Sequence, residues 1–137
     1  MEKMKILFAC VENSFRSIMS EAIANHFFSD KVVAESAGSK PSGKVHPNTI
    51  KVLEEIGIDT FSLHSNGFND VKEKNYDYII TMGCKDTCPF YPAKASSEWD
   101  LPDIKNGPIE EIRKLRDDIK AKIEDLIKKE QNQNMIS

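Results

Sequence analysis

Two periodicities alternate along this chain, and the switches between them mark its elements. Lys5-Ile6-Leu7-Phe8-Ala9 is a short, nearly unbroken apolar run of the kind a buried strand carries. From Ser17 to Ser29 the pattern changes: Met19, Ile23 and Phe27 recur at helical spacing with Ile18 and Ala22 beside them, which predicts an amphipathic helix. Val32 to Ala37 reads as a second strand closed by Gly38, and GSKPSG (38–43) as a loop punctuated by glycine and proline. Pro47 suits the first turn of a helix carrying Ile50, Val52, Leu53 and Ile56, with Gly57 at its carboxyl end. YDYIITM (76–82) is the strongest strand signal in the chain. Residues 83–94 are loop-like, a short strand is expected near Ala95 to Trp99, and a second proline-bearing loop runs from Leu101 to Pro108.

The last predicted element is a helix from about Ile109 to Lys129. Ile112, Leu115, Ile119, Ile123 and Leu126 form its apolar stripe, and pairs such as Glu110/Lys114 and Glu124/Lys128 support the exposed side. Residues 131–137 are polar and are expected to be a frayed tail. No repeat, linker or composition break divides residues 1–130, so one domain is expected there. Strands alternating with helices predict an α/β fold with a parallel, helix-covered sheet. Such sheets bind ligands at the carboxyl ends of their strands, which directs attention to the loops after Ala9, Ala37 and Met82.

Composition narrows the class. The chain has 137 residues, 39% hydrophobic and 30% charged, enough for one buried core. No apolar run reaches the ~20 residues of a membrane span, and the amino terminus lacks a signal-peptide pattern. Three cysteines are too few for a disulfide scaffold, so reduced thiols, a cytoplasmic location and no membrane partner are expected. A net charge of -3 argues against nucleic acid as a partner, because phosphate backbones call for a basic face.

The chemistry concentrates after the first strand. Cys10-Val11-Glu12-Asn13-Ser14-Phe15-Arg16-Ser17 places a thiol at a strand end and an arginine at a helix start. Backbone N–H groups of residues 11–16 can converge on an oxyanion, the helix amino terminus adds partial positive charge, and Arg16 can fork two donors onto the same anion. That field favours thiolate at Cys10. Ser17 is placed to donate to the thiolate, and Asn13 tolerates positive φ and can tie the loop together from inside. A cysteine ending a strand is often no more than a small hydrophobe; the strand–loop–helix setting tips the balance toward an anion cradle.

With those residues stated, the run CVENSFRSIMSEA resembles the phosphate-binding loop and first helix of the low-molecular-weight tyrosine phosphatase superfamily, which includes thioredoxin-coupled arsenate reductases. ESAGSKPSGKVHPNTIKVLEEIGID is similar to the superfamily's second strand and helix, and YIITMGCKDTCP to its third strand and redox loop. The match extends to about Asp103. It implies a four-stranded parallel sheet flanked by helices.

Cys84 and Cys88 distinguish two activities within that superfamily. A phosphatase needs one nucleophilic thiol, whereas two-electron chemistry needs a dithiol beside it. Zinc is a competing use of a close cysteine pair, but only three thiols exist and no histidine has ligand spacing. Incidental loop cysteines are the plainest alternative. The resemblance implies that Cys10 attacks arsenate, Cys84 attacks the Cys10 sulfur, and Cys88 attacks Cys84. The resulting Cys84–Cys88 disulfide would be reduced by thioredoxin or a similar dithiol. Three residues separate the pair, fewer than in the best-known reductases of this type, so the order of the resolving steps stays open.

The resemblance also implies an acid for the leaving oxygen. In Trp99-Asp100-Leu101-Pro102-Asp103-Ile104, Asp103 matches the position, although Ile104 replaces the usual proline; Asp100 is the alternative. Glu12 stands where the phosphatase pattern has glycine, and is expected to face solvent. Some reductases of this fold hold a monovalent cation; Asn13, Glu21 and Ser36 match part of that site, but Asn66 stands where an acid is expected, so neither metal nor cofactor is implied. His26 is expected to pack on its helix, His46 to cap one, and His64 to lie in a polar loop. The leading expectation is an arsenate reductase acting as a monomer. A phosphatase with a phosphocysteine intermediate and a non-catalytic oxyanion or redox sensor are the alternatives.

Overall fold

The computed structural model describes residues 3–71, 75–83 and 93–136. Within them lie strands β1 (Met4–Cys10), β2 (Val32–Gly38), β3 (Tyr76–Thr81) and β4 (Ala93–Glu98), and helices α1 (Arg16–Phe27), α2 (Pro47–Glu54) and α3 (Ile109–Ile136). A short 3-10 turn covers Phe68–Asp70. All strand pairings are parallel, in the order β2-β1-β3-β4. This is the four-stranded parallel α/β sheet that the sequence implies.

β1 lies inside the sheet because its apolar run can be buried on both faces. Ile6, Phe8 and Cys10 share one face with Ala34, Ile80 and Met82, packed against Met19 and Ile23 of α1, Leu53 of α2 and Ile119 and Ile123 of α3. Leu7, Ala37 and Ile79 occupy the other face, with Phe68 and Val71 against them. Trp99, just beyond β4, closes over Phe8 with ring centroids 5.8 Å apart. The outer edge of β2 is capped by a side chain: Asn25 Nδ2 donates to Ala34 O, and Ala34 N donates to Asn25 Oδ1, each at 2.9 Å. Neither backbone group is therefore left unpaired.

The boundaries differ from expectation where stop signals are weak. α1 starts one residue earlier than expected, at Arg16, and β4 is shifted toward the amino terminus, ending at Glu98. α3 continues through Ile136, so the expected tail over 131–137 is helical to that point. Neither glycine nor proline interrupts Lys129 to Ile136, and Tyr78 Oη donates to Glu130 Oε2 at 2.9 Å, fastening the helix to the sheet near its predicted end. Ile127 rather than Leu126 completes the deeply buried stripe. The Glu124–Lys128 pair is present at 3.4 Å, whereas Lys114 pairs with Glu111 at 3.8 Å. At the other end of the bundle Glu55 accepts from Arg113 Nη2 at 2.6 Å and Arg116 Nη1 at 2.8 Å, joining the end of α2 to α3.

Candidate active site

The carboxyl ends of β1, β2 and β3 and the segment after β4 meet at one edge of the sheet. β1 delivers Cys10 there, and the loop to α1 folds over it. Four carbonyls of that loop accept hydrogen bonds from the segments beside it. Cys10 O accepts from Ser39 N at 3.1 Å, Val11 O from Lys40 N at 2.8 Å, Glu12 O from Ser42 N at 3.0 Å, and Ser14 O from His46 N at 2.9 Å. In a trans peptide the next N–H points opposite to the carbonyl, so this lacing turns N–H groups of the loop inward. Asn13 N–H is one of them, donating to Cys10 Sγ at 3.1 Å. Gly38 permits the lacing, since a Cβ there would collide with Val11 O.

Asn13 adopts φ of 51°, the left-handed conformation expected of it, and is fully buried. Its Oδ1 accepts from Asn66 N at 2.6 Å, which fixes which end of the carboxamide is which. Nδ2 then donates to Ser17 Oγ at 2.8 Å, and Ser17 Oγ lies 2.7 Å from Cys10 Sγ. A hydroxyl that accepts from Asn13 has its own proton left for sulfur. Two protein donors, the Asn13 N–H and the Ser17 hydroxyl, thus converge on one buried sulfur.

Arg16 opens α1, only slightly exposed, with Nη1 donating to Leu101 O at 2.9 Å and Nη2 3.9 Å from Asp103 Oδ2. Gly83 lies flat against the guanidinium: its φ is +81°, and a Cβ there would stand 3.1 Å from both terminal nitrogens. Cys10, Val11, Glu12, Ser14, Phe15, Arg16, Gly83, Asp103 and Lys105 line a pocket of about 310 Å³. Asp103 is in this wall; Asp100 is not. A larger cavity, about 710 Å³, lies at the opposite end of the strands around Lys5 and Asp77 and shares none of these groups.

The expected residues 10 to 17 and Asp103 are therefore brought together. Cys84 and Cys88 lie outside the described residues. Glu12 is exposed, as expected, and is one of the residues that line the pocket. Leu101 and Lys105 were not anticipated: one acts through a backbone carbonyl, and the other is a lone lysine in a polar loop. Glu21 and Ser36 lie behind the cradle, where Ser36 Oγ donates to Glu21 Oε1 at 2.6 Å. Burial pushes the Glu21 carboxyl up to about 7; the Ser36 hydrogen bond opposes this and nearby Glu35 adds to it. Asn13 Oδ1, the carbonyl end of the carboxamide, is committed to Asn66 N–H. His46 caps α2, its Nδ1 accepting from Asn48 N at 3.1 Å. His26 meets Phe27 edge-on, and His64 is exposed.

The family model for low molecular weight phosphotyrosine protein phosphatase matches residues 5–135. The chain belongs to this family. A glutaredoxin arsenate reductase of Synechocystis sp. is 32% identical over 128 residues, which span 91% of this chain and 97% of that protein. An arsenate reductase solved in the phosphate binding state superposes with a TM-score of 0.78 at 30% identity, covering 92% of this chain and 98% of the other. A thioredoxin-dependent arsenate reductase of Corynebacterium glutamicum gives 0.76 at 32% identity, covering 96% of this chain and 63% of that one. No helix among the described residues is long and apolar enough to cross a membrane.

Proposed function

We propose that this protein reduces arsenate to arsenite by a thiol cascade. One observation carries the choice of reductase over phosphatase. Gly83 lines the oxyanion pocket against Arg16, and Cys84 is its covalent neighbour, with Cys88 four residues further on. A second cysteine therefore follows immediately in the chain after a residue of the pocket wall. The relatives described as arsenate reductases support the same choice.

In this reading arsenate is held by the inward N–H groups of residues 11–16 and by Arg16. Cys10 thiolate attacks arsenic, and an oxygen leaves as water with a proton from Asp103. Cys84 thiolate then attacks the Cys10 sulfur. The S–As bond breaks with its electron pair on arsenic, so As(V) becomes As(III) while the two sulfurs become a disulfide. Cys88 attacks Cys84, freeing Cys10 and leaving a Cys84–Cys88 disulfide. An external dithiol protein reduces that bond. The two relatives differ on this partner, one being named for glutaredoxin and the other for thioredoxin.

The test is NADPH consumption with arsenate, in parallel with thioredoxin plus its reductase and with glutaredoxin plus glutathione and glutathione reductase. Wild type is expected to turn over with one of these, and each of Cys10→Ser, Cys84→Ser and Cys88→Ser to stop. Full turnover by Cys84→Ser would refute the cascade. The family's own description favours a second reading, phosphomonoester hydrolysis through a Cys10 phosphocysteine. That activity would survive Cys84→Ser and vanish with Cys10→Ser. A sensor would bind oxyanion and give steady-state product in neither assay.

A further inference from the structure

We propose that Lys105 is the counter-charge that makes a glutamate at position 12 compatible with anion binding. The inference rests on reading the Cys10 pocket as an oxyanion site.

Lys105 Nζ lies 3.1 Å from Asp103 Oδ2 and 3.6 Å from Glu12 Oε2, and all three side chains belong to residues that line the pocket. The ammonium is pulled out of solvent for a lysine, with its side chain 24% exposed against 47% for Glu12 and 45% for Asp103. The hydrogen bond to Asp103 holds its proton more tightly than usual, so it stays charged wherever the carboxylates do. The pocket rim therefore carries Arg16 and Lys105 against Glu12 and Asp103, in balance before Cys10 is counted. Without Lys105 the rim would carry a net negative charge, facing a substrate that is itself an anion. One unit charge against a dianion about 6 Å away, across a water-like dielectric of about 80, changes affinity by about tenfold. Salt should weaken the effect, because both carboxylates are partly exposed.

The arrangement links two loops that are distant in sequence, one after β1 and one after β4. The lysine pairs with both carboxylates at once, so Asp103 and Glu12 do not repel each other across the mouth.

The experiment is titration of inorganic phosphate, followed by calorimetry, on wild type, Lys105→Met, Glu12→Gln, the double variant and Lys105→Arg. Lys105→Met is expected to bind about tenfold more weakly, with a smaller defect at high salt. The double variant should return to within about threefold of wild type, and Lys105→Arg should bind as wild type does. Unchanged binding by Lys105→Met, or a double variant as weak as Lys105→Met, would overturn the proposal. Should Lys105→Met fold poorly, Glu12→Gln alone decides: it should bind at least as tightly as wild type, and weaker binding overturns the proposal. Wild type that binds no phosphate would instead overturn the oxyanion reading beneath it.

Discussion

Ser17 Oγ sits 2.7 Å from Cys10 Sγ and accepts a hydrogen bond from Asn13 Nδ2 at 2.8 Å, so the serine proton is left for the sulfur. A hydrogen bond to a charged group contributes about 1.5–3 kcal/mol. Ser17→Ala is therefore expected to slow alkylation of Cys10 by iodoacetamide at pH 7 on the order of tenfold, read by peptide mass mapping at that residue. Asn13→Gly keeps the left-handed backbone available but removes the carboxamide, and should slow it similarly. Asn13→Ala adds a backbone strain of about 1–2 kcal/mol that urea denaturation would register. Alkylation at the wild-type rate in Ser17→Ala would contradict this wiring.

Gly83 is required on two grounds, its φ of +81° and the 3.1 Å a Cβ would leave to Arg16. Gly83→Ala should lower stability by roughly 1 kcal/mol and displace the guanidinium. Steady-state kinetics should show this as a rise in KM for arsenate larger than any fall in kcat. A change in kcat alone would place the effect elsewhere.

Asp103 lines the pocket and Asp100 does not. If Asp103 supplies the leaving-group proton, Asp103→Asn should reduce kcat by about 10²-fold or more. Asp100→Asn should change it little. Equal losses in the two variants would remove Asp103 from the role.

Glu21 links stability to pH. Burial raises its carboxyl from 4.5 to about 7, so the folded protein holds this proton more tightly than the unfolded chain does. Between these two values the folded state binds more protons, and stability falls as pH rises. Below the range both states are protonated; above it both are ionised and the full penalty is present. A discounted magnitude for this partly buried group is roughly 1–3 kcal/mol. Urea denaturation at pH 5 and pH 8 should show a smaller loss for Glu21→Gln than for wild type. Equal losses would show that Glu21 is not the group responsible.

Much of this fold is legible in the sequence because the core elements are strongly patterned. The run from Ile6 to Ala9, the Ile18/Met19/Ala22/Ile23 face and the Ile112 to Ile123 stripe are all deeply buried. What escaped has physical causes. The end of α3 lacks a glycine or proline to mark it, and its attachment through Tyr78 and Glu130 spans 52 positions. The 3-10 turn at Phe68–Asp70 is too short to leave a period. In the site, Cys10, Asn13, Arg16 and Ser17 are readable because strand, loop and helix place them locally. Only the resemblance set Asp103 ahead of Asp100; its place beside Arg16 depends on how the loop after β4 folds. Lys105 gave no signal, since its meaning depends on Glu12, 93 positions away.

The central claim is a stoichiometric two-electron transfer from the protein's own thiols. Its most direct measurement is a single turnover of fully reduced protein with arsenate and no external reductant, quenched in acid. The account predicts one arsenite per protein, loss of two of the three thiols, and a Cys84–Cys88 disulfide in the peptide map. Arsenite formation without thiol loss, or retention of all three thiols beside an active phosphatase, would contradict it.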